Sequence, residues 1–146
     1  MKMRIENWAV NNLSISRKII NQNDIKREGT FTLETSNDFD EEHDRFFVIF
    51  KLTLDDQRYD LSVEVVYSFE VTEGKVDDAF KNSHFPKVNA PAIAFPFLRA
   101  MISTITLQAG LRPVMLPSIN FSKLAEDSRL FGTSGAEEPS DERNPD

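Results

Sequence analysis

Apolar and polar residues alternate through the first half of this chain, and near residue 97 the pattern changes to a helical spacing. The alternation is most regular at residues 59–71. There Tyr59, Leu61, Val63, Val65, Tyr67, Phe69 and Val71 point one way, and Asp60, Ser62, Glu64, Val66, Ser68 and Glu70 the other, which predicts a long strand. Arg45–Leu54 predicts its neighbour: Phe46, Val48, Phe50, Leu52 and Leu54 form one face, and Phe47, Ile49, Lys51 and Thr53 form the other. Asp55-Asp56-Gln57 is the short hairpin connection between them. Gly29–Thr35 alternates Phe31 and Leu33 with polar residues and predicts another strand. Residues 3–20 read as a first strand carrying Ile5, Trp8, Val10, Leu13 and Ile15, with Asn11-Asn12 marking a bend or bulge. Residues 21–28 and the acidic stretch Ser36–Asp44 read as solvated connections.

A different period follows. Val76–Ser83 reads as a short helix or turn. Asn89 is a capping residue, and Pro91 and Pro96 fit a helix entry or first turn. Phe97, Leu98, Met101, Ile102 and Ile105 then recur on one helical face, and Gly110 is a stop signal. Leu111–Phe121 is apolar, with Pro113 and Pro117 holding it extended. Loops are usually polar, so this one needs a reason. Ser122–Phe131 reads as a second, shorter helix with Ser122 as cap. Four strands followed by helices predict an α+β fold: a four-stranded antiparallel sheet with a long and a short C-terminal helix on one face. One domain over residues 1–131 and a disordered acidic tail over 132–146 complete the organisation. At about 3.4 Å per residue the fourth strand is roughly 40 Å long, more than two helices readily cover. Val63, Val65 and Tyr67 are therefore expected at a subunit interface.

Composition narrows the chemistry. Hydrophobic content of 40% with 12 Phe supports a core. Zero cysteine and no apolar signal segment at the N-terminus point to the cytoplasm. No apolar run reads as long enough to span a membrane. The net charge of −7 argues against nucleic-acid binding. Of that charge −4 belongs to residues 133–146, leaving about −3 on the folded body. His43 and His84 are the only histidines, so neither a tetrahedral zinc site nor other metal or cofactor is expected. Asp38–Asp44 lacks the spacing and central glycine of a calcium loop. Gly132-Thr133-Ser134-Gly135 lacks the lysine of a phosphate-binding loop. Enzyme function has no visible residue set.

Phe95-Pro96-Phe97, Arg99, Gly110, Pro113, Leu116-Pro117 and Ile119-Asn120-Phe121 together resemble the SecB protein-export chaperones, over residues 3–131. In that family a long helix opens on a phenylalanine-proline-aromatic step, and a glycine leads into a proline-rich loop. The resemblance implies a homotetramer built as a dimer of dimers. It also implies ATP-independent binding of unfolded polypeptides or preproteins, handed to SecA for export through the Sec pathway. It places partner contacts at Asn12, Ser16 and Glu64. Glu64 keeps an acid seen in the family, whereas Asn12 and Ser16 stand where the family has acids, followed by basic Arg17 and Lys18. Some superfamily members instead serve one partner, such as the antitoxin of a toxin–antitoxin pair, and that is the alternative reading.

Holding unfolded chains requires exposed, adaptable apolar surface. Phe97, Leu98, Met101 and Ile102 on the helix, with Val114, Met115, Leu116, Ile119 and Phe121 on the loop, are the candidate client-binding residues. The same helix stripe would also serve as an ordinary buried face. Val114, Met115 and Leu116 are consecutive, and an extended segment cannot point all three inward.

Overall fold

The structure, a computed structural model, describes residues 1–19, 21, 29–127 and 129–133. Five antiparallel strands make one sheet: β1 (Lys2–Arg17), β2 (Thr30–Asp40), β3 (Arg45–Asp55), β4 (Tyr59–Glu73) and β5 (Arg129–Thr133), in the order β1-β4-β3-β2-β5. Between β4 and β5 lie α1 (Asp78–Lys81), a single wide π turn (Phe85–Asn89), α2 (Ala90–Gln108) and α3 (Phe121–Asp127).

The alternation in β3 and β4 has the expected consequence. Register pairs Phe46 with Phe69, Val48 with Tyr67, Phe50 with Val65, Leu52 with Val63 and Leu54 with Leu61. All ten are buried on the helix side. Aromatic contacts pin each helix there. Phe80 of α1 meets Phe46 edge-on at 5.0 Å, and Phe95 of α2 lies 6.2 Å from Phe50. Phe121 of α3 lies 5.4 Å from Phe95. The Asn37 side chain on β2 donates to the Phe47 and Pro86 carbonyls, fixing where the chain enters the helical layer.

Val63, Val65 and Tyr67, expected at a subunit interface, are already buried in the core of the single chain, under α2. The opposite sheet face is mostly polar, with Phe47, Ile49 and Val66 half-buried on it.

β1 shows how an irregular sequence keeps a regular face. Its apolar residues fall at 3, 5, 8, 10, 13 and 15, out of phase with simple alternation. Register shifts lie between Ile5 and Asn7 and between Val10 and Asn12. Each bulge inserts one residue and restores the phase. Ile5, Trp8, Val10, Leu13 and Ile15 consequently oppose Phe69, Tyr67, Val65, Val63 and Leu61, all on the helix side.

Several local expectations are corrected. Asn89 makes no side-chain cap; it is helical, and the π turn runs directly into α2. Pro96 lies inside α2, not at its entry. Its missing N–H leaves the Ala92 carbonyl free, and both residues are exposed, so water can supply the partner. Asn120, not Ser122, caps α3: its Oδ1 accepts from the Ser122 and Lys123 amides at 3.0 and 3.2 Å. The stretch read as a helix to Phe131 is helical only to Asp127, and 129–133 becomes a fifth strand against β2. Residues 36–40, read as loop, extend β2. Residues 22–28 and the tail from 134 lie outside the described residues.

Gly110 is a stop signal as expected. Its φ is +81°, and the Leu111 and Gly110 amides donate to the Thr106 and Leu107 carbonyls, a Schellman closure. By length and composition Phe85–Gln108 could cross a membrane, at 24 residues and mean hydropathy 1.4, contrary to the expectation that no run was long enough. Here its buried face, with Leu98 and Ile102, covers the sheet.

Candidate functional site

The sheet presents more apolar surface to the helical layer than α2 covers. α2 lies over β3 and β4 and leaves the β1 edge open. Trp8, Val10 and Leu13 stay 53%, 45% and 44% exposed. Trp8 stacks on Phe97 of α2 with centroids 5.9 Å apart and planes 24° apart. Between β1 and α2 runs a hollow of about 300 Å³, lined by Trp8, Tyr67, Phe97, Met101, Thr104 and Ile105. Its walls are almost wholly carbon. At its floor the Tyr67 hydroxyl is buried without a hydrogen-bond partner among the described residues. Burial pushes the Tyr67 phenol up to about 12.

A second hollow lies on the other flank of α2, where Pro96, Arg99, Ser103, Thr104, Met115 and Leu116 line about 380 Å³. Ala100 and Thr104 line both hollows, so α2 forms a low ridge between them. The loop 111–120 makes the outer wall. Thr106 holds that wall in place. Its buried hydroxyl donates to the Ile102 carbonyl at 2.7 Å and accepts from the Val114 amide at 3.0 Å. Val114 and Leu116 turn inward and Met115 outward. Met115 is 61% exposed, and the Ser103 hydroxyl donates to its sulfur at 3.6 Å.

The expected client residues divide accordingly. Phe97 and Met115 are exposed, and Met101 and Ile119 are half-buried. Leu98, Ile102, Val114, Leu116 and Phe121 are buried in the core, because a helix laid on a sheet must bury one face. They shape the groove from beneath and do not line its surface as free side chains, apart from the edge of Leu116. The sequence reading missed Trp8, Val10 and Leu13 as site residues. Their signal was present, since they are the apolar set of β1; the missing information was how far α2 extends.

Asn12, Ser16 and Glu64 lie on the opposite, polar face. Asn12 opposes Glu64, and Ser16 opposes Asp60. Glu64 is engaged within the chain, 3.5 Å from the Lys51 ammonium and accepting from the Asn11 amide at 3.2 Å. Lys18 is also committed: its ammonium reaches Asp55 and Asp60 at 3.1 Å and donates to the Asp56 carbonyl. Those carboxylates raise the Lys18 pKa, the hydrogen bond that Lys18 donates to Asp60 first. No metal-binding group of histidines and acids occurs among the described residues.

Comparison with known proteins bears on what such a groove is for. Residues 3–129 match the family model SecB, preprotein translocase subunit SecB. The chain belongs to the SecB family. An uncharacterized protein of Methanocaldococcus jannaschii is 33% identical over 125 residues, spanning 81% of this chain and 79% of that one. The protein-export protein SecB of Anaplasma phagocytophilum is 39% identical over 70 residues, 48% of this chain and 43% of that protein. In three dimensions the chain is similar to the Mycobacterium tuberculosis SecB-like chaperone in complex with a peptide from the HigA1 antitoxin. The TM-score is 0.65 at 14% identity, covering 80% of this chain and 90% of that one. The SecB sheet with its C-terminal helices is therefore the fold seen here, with β5 as an added edge strand.

Proposed function

We propose that this SecB-family chain is an ATP-independent holdase, a chaperone whose groove between β1, α2 and the loop 111–120 takes up unfolded polypeptides or preproteins. It acts by binding and not by catalysis. One observation carries the reading. Trp8, Phe97 and Met115 stand about half exposed or more along two hollows, one of them almost wholly apolar, that share one ridge. Soluble monomers rarely leave contiguous apolar surface open without a use. Flat aromatics and a flexible thioether suit clients of many sequences. Occupancy by an unfolded chain opposes client folding by mass action.

The reading includes a cytoplasmic homotetramer, a dimer of dimers, without membrane insertion and without a nucleic-acid partner. An interface would use surface still open in the single chain, such as the β1 edge, because Val63, Val65 and Tyr67 are spent on the core.

A second reading has its own support. Asn12 and Ser16 are not acids, and Glu64 is paired, so the face expected to meet SecA has little free negative charge. A steering surface depleted in charge binds a basic partner slowly. The M. tuberculosis structure holds an antitoxin peptide. A dedicated partner such as an antitoxin is therefore the alternative to Sec export.

Met115→Asp tests the groove. Calorimetric titration with a reduced, permanently unfolded protein should show affinity weakened by about tenfold or more, roughly 1.4 kcal/mol. Light scattering should show the assembly unchanged. Unaltered affinity in an intact assembly overturns the assignment. Competition between unrelated unfolded proteins and one antitoxin separates the two readings.

A further inference from the structure

The chain has no cysteine, so its sulfur chemistry rests on four methionines, Met1, Met3, Met101 and Met115. Their settings differ. Met3 packs half-buried on β1 against the core, and Met101 is half-buried in the first hollow, beside Trp8 and Phe97. Met1 is 48% exposed but lies against the Gly74 turn and lines neither hollow. Met115 alone combines high exposure, at 61%, with a place in the groove wall.

The loop holds that sulfur in place. Pro113 and Pro117 restrict the backbone on either side, and the Val114 amide is tied to Thr106 of α2. Val114 and Leu116 turn inward, which aims Met115 outward. The Ser103 hydroxyl of α2 donates to the Met115 sulfur, so the thioether lies along the second hollow. Its apolar neighbours there are Pro96, Ala100 and the edge of Leu116, with Arg99, Ser103 and Thr104 supplying the polar share. Met115 is therefore the largest exposed apolar side chain of that hollow.

We propose that Met115 is an oxidation site through which peroxides lower the affinity of the groove for unfolded chains. This rests on the holdase reading and names a regulation of that same groove. In the step, the sulfur lone pair attacks one peroxide oxygen, the O–O bond breaks and an S–O bond forms. The sulfur is oxidised by loss of an electron pair, and the second oxygen leaves as water with both peroxide hydrogens. The product is a sulfoxide: a flexible apolar thioether becomes a polar group, the change that disrupts methionine-lined interfaces. A client segment seated there must then strip water from the sulfoxide oxygen. Thioether sulfur is a weak acceptor, so the new oxygen is also a better partner for the Ser103 hydroxyl already beside it. Reduction of the sulfoxide restores the apolar wall.

The test treats the full chain with dilute hydrogen peroxide, removes the peroxide by gel filtration, and titrates the chain into a fluorescent, reduced and permanently unfolded polypeptide. Peptide mass spectrometry follows each methionine, and circular dichroism monitors folding. Met115 and Met1 should gain oxygen before Met101 and Met3. Affinity should fall about three- to tenfold in step with oxidation of Met115, since one methionine contact is only part of the groove. Methionine sulfoxide reductases should restore it. Met115→Leu, whatever its starting affinity, should lose none on treatment, whereas Met1→Leu should respond as the wild type does. Oxidation of Met115 no faster than Met101, full oxidation of Met115 with unchanged affinity, or an equal loss in Met115→Leu overturns the oxidation switch and leaves the holdase reading standing. Failure of the untreated chain to bind the polypeptide overturns both.

Discussion

β1 and β4 are neighbouring long strands of one sheet, each with a row of apolar side chains on the helix side, yet their fates differ. β4 alternates without interruption and all of its row is buried. β1 needs two bulges to keep its row in phase, and the middle of that row, Trp8, Val10 and Leu13, stays near half exposed. The side chains are of the same kind. The difference is the position of α2, which covers β4 and stops short of β1. Apolar patterning thus commits a residue to a face, and the layer above decides whether that face is core or open surface.

Val10 and Val65 are register partners, so one substitution can be read on both sides of that line. Val65→Arg places an unpaired charge in the core and should cost about 4 kcal/mol or more, enough to abolish cooperative unfolding in a denaturant titration. Val10→Arg should change stability by less than about 1 kcal/mol while weakening binding of an unfolded polypeptide. Equal destabilisation at both positions would erase the distinction.

The loop wall offers a smaller effect. Thr106→Val removes the acceptor of the Val114 amide and leaves a buried N–H unpaired, at about 1–3 kcal/mol. Faster hydrogen exchange at the Val114 amide, with weaker client affinity, is expected. Protection equal to wild type would show that Thr106 does not hold the wall.

The smallest effects concern the buried phenols. Tyr67→Phe removes a hydroxyl that has no partner among the described residues and should raise stability by about 1 kcal/mol. Burial holds Tyr59 and Tyr67 protonated up to about 12, with the Asp56 carboxylate adding to burial at Tyr59. Unfolded tyrosine ionises near 10. The stability these residues contribute is therefore complete below about pH 10 and is lost as pH rises from about 10 to 12. Tyr67→Phe should flatten that decline in urea titrations across the range.

Much of the fold was legible because period-2 alternation in residues 45–71 has no competing reading. Gly110 could be read too, since a helix stop is a local event. The caps were misplaced because Asn89 and Ser122 each have the right chemistry, but the helical turns begin earlier, at Phe85 and just after Asn120. Residues 129–133 carried no strand signal strong enough to compete with helix; the β2 edge supplies the order. There Gly132 lies against the Phe31 ring, where a Cβ would come within 2.5 Å. The site was half legible. Phe97 and Met115, singled out because an apolar loop and an apolar helix are conspicuous, do stand exposed beside the hollows. Trp8 was not singled out, because exposure of a strand residue depends on the reach of a helix more than eighty residues away in sequence.

Trp8 is also the only tryptophan in the chain, and it stands in the groove wall. Its fluorescence, followed while a tryptophan-free unfolded polypeptide is titrated in, reads the groove directly. The account predicts a blue shift of Trp8 emission that saturates with the same midpoint as client binding measured by anisotropy, as the indole loses water. A client that binds fully while the Trp8 spectrum does not move would contradict it.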